Sequence, residues 1–166
     1  MSAAPTTDQA SSPSGLGFGI DIGDPGLTAP GGRAQPQIKR TVVTLPEGFT
    51  VNPSAGEGLG ACTPSDYHRE TATSPAGAGC PDSSQLGEVA IESPLLSQPV
   101  KGSVFLAQPD DLATSTPGAE NPFDSLLAIY IVAKLPERGL LIKAAGKEPC
   151  RLLSFKRIGN SPVLSA

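Results

Sequence analysis

Cys62 and Cys80 stand eighteen positions apart in ACTPSDYHRETATSPAGAGCP, and they are two of the chain's three cysteines. Three chemistries are open to such a pair. A structural zinc site takes close C-x2–4-C pairs, completed by a second pair or by histidines at set spacing. Here the gap is wide and His68 is the single histidine. Asp66, His68 and Glu70 alternate between the cysteines, but in a helical turn alternate residues diverge, so they do not converge on a cation. A catalytic Cys–His pair is set by fold rather than by sequence, and a lone histidine on a polar, Gly-rich loop reads more simply as solvated. The favoured reading is a Cys62–Cys80 disulfide. The stretch between the cysteines has little apolar material to hold it down, and closing a loop of about 18 residues stabilises by roughly 3 kcal/mol in the chain-entropy account. Such a bond belongs to an oxidising compartment. The alternative is a pair of free thiols in a cytosolic protein, and either way Cys150 has no obvious partner.

Other candidate chemistry is weaker. Gly15–Gly19, GLGFG, has the look of a phosphate loop, but no Lys-Ser/Thr follows and no strand–helix unit surrounds it. Ser65, Ser83, Ser84, Ser93 and Ser97 lack a G-x-S-x-G elbow. Asp110 and Asp111 are adjacent in an extended stretch and so point apart; Asp21 and Asp24 are a similar case. Tyr67, Phe105, Phe123 and Tyr130 could line a sugar platform, although aromatics are 4% of the chain and there is no Trp. Core packing explains Phe105 and Phe123 more simply. The expectation is therefore a non-enzyme, with no catalytic residue, no cofactor and no metal assigned.

The elements that must position the cysteines are short strands. SLLAIYIVAKL (125–135) is apolar on both faces, as a central strand covered on both sides would be. LPERG turns it back into LLIKA (140–144). LGEVAIES (86–93) places Val89 and Ile91 on one face and Glu88, Ala90 and Glu92 on the other. VKGSVFLA (100–107) sets Val100, Val104 and Leu106 opposite Lys101 and Ser103. Val42 and Val43 lie in a β-branched run within 38–51. Thr63 before Pro64, with Asp66 three positions on, predicts an N-cap and one helical turn over about 63–70. Residues 113–123 read as a surface loop.

Gly and Pro together number 37 of 166 residues, nearly twice the usual share of roughly 12%, which disfavours long helices. The reading is mainly β: antiparallel sheets in a sandwich-like arrangement over residues 38–146. Residues 1–37 read as a flexible Ala/Ser/Pro/Gly-rich leader, with one strand-like exception in GLGFGIDIGDPG (15–26). Residues 147–166 read as an atypical, poorly ordered tail. The net charge of −4 and the lack of a basic stripe argue against nucleic acid. The longest apolar run, Leu126–Ala133, is too short to span a bilayer, and the N-terminal stretch lacks the pattern of an export signal.

LPEGFTVNPSAGEGLGAC (45–62), CPDSSQLGEVAIESPLL (80–96), PVKGSVFLAQP (99–109) and NPFDSLLAIYIVAKLPERGLLIKAAGK (121–147) together resemble segments of large uncharacterised secreted proteins of actinobacteria, which carry β-rich modules in a long extracellular chain. The resemblance covers about residues 38–147. It implies location and class, and it supplies no catalytic residues. After Lys147 the pattern ends, and Lys147, Arg151, Lys156 and Arg157 stand against Glu148 alone. This suggests a fragment of a longer chain, with sandwich strands missing and a sheet edge exposed to neighbouring β modules or cell-surface components. The expected function is a structural or adhesive extracellular or cell-surface β module. A carbohydrate- or ligand-binding β domain is the alternative, and a hydrolase accessory domain a more distant one.

Overall fold

Two-sided apolarity places residues 128–135 in the interior of a sheet. In the computed structural model, which describes residues 2–7, 9, 14–35, 40–44, 57–108, 128–147 and 152–156, the regular elements are β1 (Ser2–Pro5), β2 (Leu16–Gly19), β3 (Arg40–Thr44), α1 (Pro64–Arg69), β4 (Gln85–Ile91), β5 (Val100–Ala107), β6 (Ala128–Leu135), β7 (Leu140–Lys147) and β8 (Leu152–Lys156). Six strands form one sheet in the order β3-β8-β7-β6-β5-β4, and β1 and β2 form a separate two-stranded sheet. All these pairings are antiparallel. The mainly β, antiparallel character expected from the sequence is the observed one.

β6 sits between β5 and β7, with Tyr130 opposite Phe105 on one side and Ala145 on the other. The hairpin to β7 turns through a 3-10 segment, Pro136–Arg138, closed by Gly139 at φ 62. This left-handed conformation is one that glycine adopts without steric cost. Gly102 on β5 has a different reason to lack a side chain, because a Cβ there would collide with the Val132 carbonyl oxygen and the Ala133 backbone of β6.

Strand alternation sorts the sheet into two faces. On one, Phe105, Ala107, Ala128, Tyr130, Val132 and Ala145 are buried beneath Cys62, Tyr67 and Cys80. On the other, Ile91, Val100, Ala133, Leu135 and Ile142 form a second cluster, bordered by Val89, Leu96 and Leu140. Among the described residues, the layer seen on the first face is α1 with its flanking loops. Two antiparallel sheets are compatible with a sandwich, but the packing described over Tyr130 is helix and loop.

Strands also occur outside residues 57–147. The leader holds local structure: Ala3 pairs with Phe18 and Ala4 with Gly17, and the Thr6 amide donates to the Gly15 carbonyl at 2.9 Å. β2 falls within the stretch 15–26 that reads as strand-like from its sequence. The tail contributes β8, whose Phe155 is in register with Thr41 of β3 and Gly146 of β7. The strand holds the apolar run Leu152-Leu153-Ser154-Phe155. Residues 45–56 and 109–127, which include Phe123, Asp110, Asp111 and the expected 113–123 loop, lie outside the described residues, as does Cys150.

Candidate functional site

Cys62 and Cys80 are joined by a disulfide, with Cα atoms 4.9 Å apart, and both are fully buried. Cys62 is also tied to the sheet through its backbone. Its amide donates to the Leu106 carbonyl and its carbonyl accepts from the Gln108 amide, each at 2.8 Å, in a parallel bridge opposite Ala107. The staple therefore anchors the 63–80 loop to the end of β5, where β4 has not yet begun.

α1 follows immediately, and its local code is complete. Thr63 accepts from the Asp66 amide at 3.1 Å and its own amide donates to Asp66 Oδ2 at 3.3 Å. This reciprocal capping box satisfies two donors that a helix start leaves free, and Pro64 fills a position where no donor is needed. The exposed Arg69–Asp66 ion pair adds little.

One turn of helix carries Tyr67 down onto the sheet. Its ring stacks on Tyr130 with centroids 4.0 Å apart and planes 10° from parallel. Burial, with the neighbouring Tyr130 adding to it, pushes the Tyr67 hydroxyl well above its ordinary range. Burial likewise pushes Tyr130 up to about 12. The Tyr67 hydroxyl is buried without a hydrogen-bond partner among the described residues. An unsatisfied buried polar group costs about 1–3 kcal/mol, so Tyr67→Phe is expected to be neutral or stabilising in a denaturant titration. A loss above about 1 kcal/mol would show that the hydroxyl is in fact satisfied.

At the end of α1, Glu70 is only 4% exposed. It forms an ion pair with Lys134 of β6. Ser74 Oγ donates to Glu70 Oε2 at 2.8 Å and the Cys80 amide donates to Oε1 at 3.1 Å. Lys134 Nζ donates in turn to Ser74 Oγ at 2.7 Å and to the Ser74 carbonyl at 3.0 Å. Burial alone would raise the Glu70 carboxyl, but the bonds from Lys134, Ser74 and the Cys80 amide outweigh it and hold the group below its usual value. Gly79 leaves the room this carboxylate occupies, since a Cβ there would collide with it.

A second lysine closes the layer. Lys143 Nζ donates to the Tyr67 carbonyl at 2.7 Å and lies 5.0 Å from the centre of the Tyr67 ring. Burial lowers its proton affinity, opposed by the Glu70 carboxylate and reinforced by the Lys134 charge. The tyrosine stack, the two lysines and the buried glutamate together pin α1 and the staple to the sheet. Every one of these charged groups is engaged within the chain.

The sequence candidates separate accordingly. Cys62 and Cys80 come together. Asp66, His68 and Glu70 do not: Asp66 caps the helix, His68 is exposed, and Glu70 faces Lys134. Among the described residues no three His, Cys, Asp or Glu side chains are grouped as a metal site would require, and no helix is long and apolar enough to cross a membrane. Of the aromatics, Tyr67, Phe105 and Tyr130 are core residues. Sequence reasoning missed Lys134 and Lys143, although each is a lysine set among apolar neighbours in an interior strand of the sheet. No known protein family, curated protein or solved structure matches the chain.

Proposed function

We propose that this chain is a non-enzymatic extracellular or cell-surface β module with a structural or adhesive role, acting as one unit of a longer surface chain. The observation that carries the reading is the buried Cys62–Cys80 bond, which is the kind of crosslink that oxidising compartments permit and the cytosol removes. The polar machinery beside it supports the non-enzymatic half. Glu70, Ser74, Lys134 and Lys143 are spent on holding one layer to another. The carbohydrate reading has less support, because Tyr67, Phe105 and Tyr130 are packed inside rather than set out as a flat platform.

The test is to isolate the protein from its native host by cell fraction and digest it without reducing agent. The expected result is recovery in the surface or secreted fraction, with a peptide linking Cys62 to Cys80 in the mass spectrum. Recovery from the cytosol with both thiols freely alkylated would overturn the proposal.

A further inference from the structure

The segment that leads into Cys80 has little apolar hold on the sheet. Residues 71–79 read TATSPAGAG, so alanine and proline are its apolar side chains, and most of its positions are exposed. Among the described residues, the hydrogen bonds that tie this segment to a strand run from Lys134 Nζ to the Ser74 carbonyl and to Ser74 Oγ. Ser74 Oγ donates onward to Glu70 Oε2, and Glu70 Oε1 accepts from the Cys80 amide. The Glu70–Lys134 pair therefore fastens three stretches to β6: the end of α1, the turn at Ser74, and Cys80 itself. It also stands at the solvent boundary. The Lys134 side chain is 19% exposed and that of Glu70 3%, while neither cysteine is exposed at all. Solvent reaches the lysine, barely reaches the carboxylate, and does not reach the sulfurs.

We infer that the Glu70–Lys134 pair gates chemical access to the staple: a thiol reductant reaches Cys62–Cys80 when this pair opens and residues 71–79 lift, while the sheet stays folded. Attack on a disulfide requires access to a sulfur, and local opening takes less free energy than global unfolding. The surroundings of the bond stay in place during such an opening. Cys62 is held on β5 by its bonds to Leu106 and Gln108, and beyond Cys80 the Ser84 amide donates to the Pro81 carbonyl. Tyr67 keeps its stack on Tyr130 and its bond from Lys143. With a dithiol such as dithiothreitol, one thiolate bonds to one cysteine sulfur as the Cys62–Cys80 bond breaks, and the electron pair leaves on the other sulfur, which takes up a proton. The second thiol then closes the cyclic disulfide and releases the first cysteine. The protein gains two thiols and the dithiol is oxidised. The staple is thus a bond that a thiol partner can break in a folded protein, at a rate set by one ion pair rather than by overall stability. This goes beyond the module reading and depends on the bond, not on the compartment.

The experiment follows reduction of the oxidised full chain by dithiothreitol at neutral pH, alone and in low urea, quenching with an alkylating agent and measuring alkylated Cys62 and Cys80 by mass. The wild-type rate is expected to stay flat through the first additions of urea, because lifting a short polar segment exposes little surface. Glu70→Gln is expected to be reduced about tenfold faster or more, since it strands Lys134 without its charged partner, and Lys134→Met is expected to change the rate in the same direction. Ile142→Val removes a methylene from the cluster on the opposite face and weakens the whole fold; its reduction rate is expected to stay within about twofold of wild type. A Glu70→Gln rate within about twofold of wild type overturns the inference. So does an increase of about fivefold in Ile142→Val or a wild-type rate that climbs from the first urea, either of which would mean that the bond is reached through global unfolding. Wild-type reduction as fast as that of an unstructured peptide disulfide would show that there is no gate. The wild-type urea series and Ile142→Val leave the ion pair intact, so they decide the route even where Glu70→Gln fails to fold. None of these outcomes bears on the compartment, so failure here is distinguishable from failure of the module reading.

Discussion

Glu70→Ala is expected to lower the unfolding free energy by about 3–5 kcal/mol, the range for removing one partner of a buried ion pair. The loss comes from what stays behind. Lys134 remains paired to Ser74 alone, and the Cys80 amide loses its acceptor. Replacing both members together, Glu70→Leu with Lys134→Met, is expected to cost far less than the single change, because a well-packed apolar pair avoids the desolvation of two charges. Acid dependence supplies an independent check. Glu70 has its folded-state pKa lowered, so its contribution is fully present above the unfolded carboxyl value of about 4.3 and is lost as pH falls through the folded value. In Glu70→Gln this component of acid sensitivity is absent, and its stability deficit relative to wild type narrows below about pH 4.3. Chemical denaturation between pH 3 and pH 7 reads all of this. A Glu70→Ala deficit under about 1 kcal/mol at pH 7 would remove the ion pair from the account of what holds α1 down.

The strands β4 to β7 were legible because each carries its own pattern. Val100 to Ala107 is a strand with the bounds that its alternation indicates, and the residues from Ala128 to Leu135 occupy the interior position that their two-sided apolarity demands. α1 was legible because Thr63, Pro64 and Asp66 encode a helix start within four residues. The candidate site was legible only in its covalent half. Cys62 and Cys80 are a pair that counting can find, whereas Glu70 and Lys134 lie on a helix end and a distant strand, and nothing local to either announces the other. The clue was present in part: Lys134 and Lys143 sit among apolar neighbours within interior strands of the sheet. A buried ammonium requires a partner, but which carboxylate or carbonyl supplies it depends on how the 63–80 loop folds over the sheet.

Removing the disulfide is expected to cost about 3 kcal/mol through the entropy of an 18-residue loop, within the 2–5 kcal/mol seen when native bonds are lost from small secreted domains. The design of the comparison matters, because both sulfurs are fully buried and Cys→Ala at each position also removes packed volume. Reduced wild-type protein keeps both sulfurs and loses only the bond, so it isolates the crosslink; Cys62→Ala/Cys80→Ala adds the packing loss on top. The effect is also expected to be uneven along the chain. Cys62 keeps its backbone bonds to Leu106 and Gln108, so the sheet side stays in register. Residues 63–80 lose their second anchor, and with it the restraint that keeps Tyr67 on Tyr130 and the Cys80 amide on Glu70. Hydrogen exchange after reduction should therefore accelerate at Tyr67, Glu70 and Cys80 well before it does in β5 and β6. Uniform acceleration across the sheet would mean that the loop and the sheet unfold as one cooperative unit. A reduced protein within about 1 kcal/mol of the oxidised one would show instead that the ion pair and the tyrosine stack hold the loop without the bond.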